Sequence, residues 1–189
     1  AYHLLVDRVL TDEEDGRYQR LKRYWGDRAQ PWLFVFFQAQ ALFVVIFAIP
    51  FLAAMVNRGP FPRVWDVLAI VVWAVSIGGE TLADRQLARF RADPANRGKT
   101  CRNGLWRYSR HPNYFFEWIH WWSYVLLAVG SWTFWVALAG PFVMLFFLFR
   151  LTGIPYTEDQ AVASRGEDYR RYQRETSAFF PWLPRKEAS

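Results

Sequence analysis

The chain has 189 residues, 53% hydrophobic and 20% aromatic, with a formal net charge of +6 at pH 7. Its charges are gathered into blocks, which argues against a soluble domain with an evenly charged surface, and no groove-reading motif accompanies the positive charge to suggest nucleic acid. Three His and one Cys, without CxxC or HExxH, argue against a metal site, and the lone Cys101 rules out an internal disulfide.

Residues 1–30 are polar and carry six Lys and Arg, so they read as a cytosolic segment without a signal peptide. Residues 32–56 then contain no charge at all. Between Val64 and Gly79 the only charge is Asp66, and between Asn113 and Phe149 it is Glu117. Lipid cannot satisfy an open backbone, so apolar runs of roughly 20 residues predict spanning helices. The predicted fold is an all-α, polytopic membrane helix bundle forming a single membrane domain over 1–189. It has about four transmembrane helices at 32–56, 64–83, 114–129 and 133–149. The last two form a hairpin around 130–132, and Gly140-Pro141 is expected to bend the fourth. Residues 85–112 form a basic cytosolic loop with eight Lys and Arg, and 150–189 a cytosolic tail with seven. Only Arg58 and Arg63 fall on the opposite side, so the positive-inside bias orients the bundle. The tail is expected to order against the cytosolic mouth through Tyr169, Tyr172, Phe179, Phe180 and Trp182.

Candidate chemistry runs from Glu80 to Tyr124. Glu80, Asp84, Leu87 and Arg91 share one helix face, as do Asn113, Glu117, His120 and Tyr124. An acid inside a membrane helix is costly unless it is paired or lines a wet cavity. The residues therefore point to a polar cleft walled by Asp84, Asn113 and Glu117 and rimmed by arginines. An interfacial Glu117 simply paired with an arginine is the plainer alternative. The glycine-punctuated turn 97–104 is cationic, and guanidinium forks suit phosphates. Pro112 suits the first turn of the next helix, with His111 either capping it or hydrogen-bonding a cofactor.

The stretch Gly-Leu-Trp-Arg-Tyr-Ser-Arg-His-Pro-Asn-Tyr-Phe-Phe-Glu (104–117) resembles the signature of a membrane superfamily. It contains the steroid 5-alpha-reductases, the sterol C14 reductases and the isoprenylcysteine carboxyl methyltransferases. Residues 14–26, 153–158 and 168–182 extend the likeness, which is to bacterial members of the steroid 5-alpha-reductase C-terminal type. Members carry further N-terminal spans, so two or three helices are expected to precede residue 1. The resemblance implies an integral protein of the bacterial inner membrane with an NADPH cleft on the cytoplasmic side. Carried over by motif, the cofactor contacts are Asp84, Leu87 and Arg91, then Tyr108, Arg110, His111, Asn113, Tyr114 and Glu117, with Arg150 at the end of the last span. In the methyltransferase branch, the His111-Pro112 loop and Glu158 serve S-adenosylmethionine instead.

The expected function is reduction of an activated C=C bond in a steroid-like or other hydrophobic substrate, with hydride from NADPH. The alternative is an S-adenosylmethionine-dependent methyltransferase acting on a lipid or prenyl group, and a non-enzymatic scaffold comes third. The Tyr/Glu pair that steroid reductases use has no match on the first span, whose polar residues are Gln38 and Gln40. No proton donor, substrate identity or oligomeric state follows from the residues.

Overall fold

A computed structural model describes residues 16–151 and 153–185. All regular structure among them is helical, as expected for a helical membrane bundle. The chain divides into two compact units, 1–48 and 49–189. The first contains α1, Gly16–Trp25, and most of α2, Ala29–Met55, a 27-residue helix. A 3-10 turn at Gly26–Arg28 joins them, and aromatic contacts hold them together: Trp25 stacks on Trp32 at 6.3 Å and Tyr18 meets Phe37 at 5.8 Å.

The second unit holds the end of α2 and five further helices. They are α3 Val64–Ala92, α4 Pro112–Leu127, α5 Phe134–Phe146, α6 Ile154–Arg165 and α7 Glu167–Glu175. Among the described residues, three helical stretches are long and apolar enough to cross a membrane: Leu21–Met55, Val64–Ala92 and Phe134–Arg165. The 114–129 span corresponds to α4, whose 16 helical residues make it about 24 Å long, short of a hydrocarbon core of about 30 Å. It nevertheless runs antiparallel to α3 along most of that helix. Asn113 at its start donates to Asp84, and the carbonyls of Leu127 and Val129 at its end receive Asn57 and Arg63. Those two side chains fill the vacancies that every helix C-terminus leaves.

Arg63 also pairs with Asp66 at 2.8 Å in a capping box, so the one acid at the start of this span is neutralised where the helix begins. Small residues line the α3 face toward α4: Ala69, Ser76 and Ala83 are almost fully buried. A Cβ on Gly79 would overlap the Phe116 ring. Small side chains let membrane helices approach closely enough for dispersion to hold them. The opposite face of α3, with Val67, Ile70, Val71 and Val75, is exposed, as suits lipid contact.

Two features differ from the expected layout. Helix α3 continues to Ala92, nine residues past the 64–83 span, carrying Arg85, Arg89 and Arg91 beyond the apolar stretch. Helix α5 contains Gly140 and Pro141 within its length, and the last span ends beyond it in a π-helix at Phe147–Leu151 that the expected layout did not include. The loops alternate between ends of the α3/α4 pair, with 57–63 beside 128–129 and 100–111 beside the tail. Cysteines introduced at positions 60 and 130 are therefore expected to react from one side of the membrane. Those at 97 and 167 should react only from the other, after permeabilisation. Labelling of 60 and 97 from one side would contradict this arrangement.

Candidate functional site

The 93–111 loop is folded over the end of α3 by specific contacts. Trp106 Nε1 donates to the Ala83 carbonyl at 2.9 Å, and Gln86 Oε1 accepts from the Leu105 amide at 2.9 Å. Gly104 has φ +60°, a conformation that favours glycine, and it leaves room for the Gln86 amide beside it. The tail closes the other side. Ser109 Oγ donates to the Phe179 carbonyl, the Arg110 amide to Ser177, and the Trp182 amide to Tyr108. The Tyr172 hydroxyl donates to the carbonyls of Trp106 and Ser109. The described part of the tail is thus an ordered wall, and its aromatic residues divide. Tyr169, Tyr172 and Phe179 are buried, while Phe180 and Trp182 stay exposed.

Between these walls lies a cavity of about 310 Å³. It brings together seven of the predicted residues: Asp84, Leu87, Arg91, Arg110, His111, Asn113 and Tyr114. The other four do not line it. Tyr108 is 38% exposed and meets the tail through its carbonyl. Glu117 lies one turn further along α4, and Arg150 is exposed on the π-helix.

Glu158 lies beside the cavity rather than on its lining, held by Arg110, His111 and Gln173. Its Oε1 accepts from Arg110 Nε at 2.6 Å and faces His111 Nε2 at 3.1 Å. Its Oε2 accepts from Arg110 Nη2 at 3.2 Å and Gln173 Nε2 at 2.9 Å. With both oxygens engaged, the carboxylate acts as a clasp behind the cavity that orients Arg110 and His111 toward it. Arg110 also donates to the carbonyls of Gln173 and Thr176 at 2.8 Å.

The remaining wall comes from residues that sequence reading did not single out as contacts. Thr157, Ala161 and Arg165 of α6 continue into Tyr169 and Tyr172 of α7. Their spacing of four, four, four and three is a helical period that would have revealed them. From the loop come Thr100 and Cys101. Thr100 is 6% exposed and lies against Asp168, whose carboxylate accepts from the Thr100 amide at 2.8 Å and is held low by the Thr100 hydroxyl as well.

A second hollow of about 470 Å³ adjoins the first, with Leu87, Arg91, Cys101 and Arg165 lining both. It adds Arg97 and Lys99 and no acidic side chain. Among the described residues neither Arg91 nor Arg165 is ion-paired to a carboxylate; Arg165 instead lies 4.9 Å over the Tyr169 ring. The walls therefore carry basic side chains outside ion pairs at one end and an acid–amide pair, Asp84 with Asn113, at the other.

Titration of the walls follows their surroundings. Partial burial works against ionised Asp168, but the Thr100 amide at 2.8 Å and the Arg102 guanidinium outweigh it and hold the carboxyl below the usual range. Burial, with the Glu158 carboxylate nearby, pushes the Tyr169 phenol up to about 12. Burial likewise raises the Cys101 thiol, so it is not primed as a nucleophile.

No curated protein and no solved structure matches the chain. A family model described as "Protein of unknown function (DUF1295)" matches residues 1–176, nearly the whole length and every residue of the cleft. The chain is a member of the DUF1295 family.

Proposed function

We propose that this protein is a membrane oxidoreductase that uses NADPH to reduce an activated C=C bond in a steroid-like or other lipid substrate. The observation that carries the reading is the cluster of Arg91, Arg97, Lys99 and Arg165, none of them ion-paired to a carboxylate among the described residues, along two adjoining hollows. Guanidinium and ammonium groups without carboxylate partners are suited to phosphates, and a phosphorylated dinucleotide carries several. S-adenosylmethionine carries a sulfonium and no phosphate, so the same field opposes it. The clasp role of Glu158 points the same way, because its oxygens are already engaged. The DUF1295 family is also associated with steroid 5-alpha-reductase-like membrane proteins.

The residues fit such a cofactor by chemistry. Arg91, Arg97, Lys99 and Arg165 would hold phosphates. Asn113, which spends one N–H on Asp84, keeps its carbonyl oxygen and second N–H for a carboxamide. The cofactor supplies the hydride, while the protein binds, orients and excludes water. The cleft side is assigned to the cytoplasm on the arginine bias of its loops.

Gentle purification followed by nucleotide extraction and mass spectrometry tests this reading. Co-purified NADP(H) is the expected result. Co-purified S-adenosylmethionine or S-adenosylhomocysteine, without NADP(H), would move the protein to the methyltransferase class.

A further inference from the structure

Away from the cleft, a hollow of about 310 Å³ lies between the end of α7 and the last described residues, among Arg110, Arg174, Glu175, Trp182, Leu183 and Arg185. Another, of about 400 Å³, adjoins it, with Glu175 and Thr176 lining both, and adds Arg102 and Arg107. Arg110 alone of their lining residues also lines the cleft. Among the described residues the two walls thus carry Arg102, Arg107, Arg110, Arg174 and Arg185 against one acid, Glu175. That acid is already met by Arg102 at 3.6 Å and by Arg171 at 4.0 Å. Arg102 also holds Asp168, Arg110 holds Glu158, and Arg174 faces Glu167 at 2.9 Å. Arg107 and Arg185 are exposed, and neither is ion-paired to a carboxylate among the described residues.

Ring contacts set the depth of this basic patch. Phe180 meets Phe115 at 6.2 Å and Trp118 at 5.7 Å, on the first two turns of α4. Phe179 meets Phe149, just past the end of α5, at 5.3 Å. From Trp118 the contacts continue to Trp122 and on to the exposed Phe142 of α5. Residues 179–183 therefore pack where the two apolar helices reach their polar ends. Phe180, Trp182 and Leu183 are exposed there, beside the hollows that carry Arg107 and Arg185. Apolar helix surface, then exposed aromatic rings, then arginines is the order a membrane interface imposes.

We infer that these hollows bind the headgroup of an anionic phospholipid in the leaflet on the cleft side. Its phosphate lies against Arg107 and Arg185, and its acyl chains run beside Phe180, Trp182 and Leu183. Such a lipid satisfies both the surplus positive charge and the exposed apolar rim, whereas a soluble anion satisfies only the charge. The inference does not rest on the nucleotide reading.

The test uses the full chain in dodecylmaltoside micelles, titrated with phosphatidylglycerol and with phosphatidylcholine of the same acyl chains, and read by native mass spectrometry. Phosphatidylglycerol is expected to bind more tightly. The double change Arg107→Ala with Arg185→Ala should weaken it roughly 25-fold, about 5-fold for each arginine beside an anionic headgroup, and leave phosphatidylcholine nearly unchanged. Arg85→Ala with Arg89→Ala removes the same charge from the exposed end of α3 and should cost much less. Equal losses from the two double variants would mean a diffuse basic field and overturn the inference. Displacement of phosphatidylglycerol by inorganic phosphate would make the hollows a soluble-anion site and overturn it too. A second measurement needs neither arginine change. Cys101 is buried, so a nitroxide can be placed at Leu183→Cys, in nanodiscs containing phosphatidylglycerol. Oxygen is expected to relax it more than a water-soluble nickel chelate does, and the reverse order would put the rim in water and overturn the inference equally.

Discussion

Arg110→Ala is expected to destabilise the second unit by about 3–5 kcal/mol, the usual consequence of leaving one partner of a largely buried ion pair behind. Arg110 and Glu158 expose only 11% and 14% of their side chains, and the guanidinium ties the loop to both the carboxylate and the tail. Its loss leaves Glu158 charged in a half-buried pocket and frees the carbonyls of Gln173 and Thr176. Glu158→Gln keeps the shape and removes the charge, so a smaller loss of about 1–3 kcal/mol is expected. Unfolding of purified protein in mixed micelles, followed by tryptophan fluorescence, measures both. The order matters more than either value. Equal, negligible effects would mean that the clasp does not hold the cavity wall.

Arg91→Ala and Arg165→Ala are each expected to weaken NADPH binding by roughly 10- to 150-fold, the loss of one charge-assisted phosphate contact. The deficit should widen at low ionic strength, where charge pairing is least screened. Glu117→Gln makes a useful contrast. It lies one turn beyond the cavity lining, so any effect should show little salt dependence. Thermal unfolding of each variant separates lost contacts from lost fold. Small, equal, salt-independent effects of the two arginine changes would remove the phosphate assignment.

Much of this arrangement was legible in the sequence because it is local. The four-three-four spacing of Glu80, Asp84, Leu87 and Arg91, and of Asn113, Glu117, His120 and Tyr124, fixed two helix faces before any coordinates. The structure pairs those helices through Asn113–Asp84 and Ser76–His120. The length of α4 was less legible, since hydropathy does not mark where an apolar stretch stops being helical. The chain turns after Leu127, and that turn is anchored by Thr133 Oγ1, which donates to the Ala53 carbonyl at 2.7 Å across 80 residues. The role of Glu158 was hidden for a similar reason. Its partners Arg110 and His111 lie 48 and 47 residues away, and nothing in a single sequence announces that pairing. Arg165 and Tyr169 were missed although their period was present, because charged residues in a polar tail read first as solvated surface.

The central claim is that the cationic cleft selects a phosphorylated dinucleotide, and direct titration tests it best. Purified protein in nanodiscs is titrated with NADPH, NADH and S-adenosylmethionine at low and at high salt. The account predicts that NADPH binds most tightly and loses affinity as salt rises. NADH, which lacks the extra phosphate, should bind more weakly, and S-adenosylmethionine should show no saturable binding. Saturable S-adenosylmethionine binding that requires Glu158 and tolerates Arg91→Ala, with no NADPH binding, would contradict it.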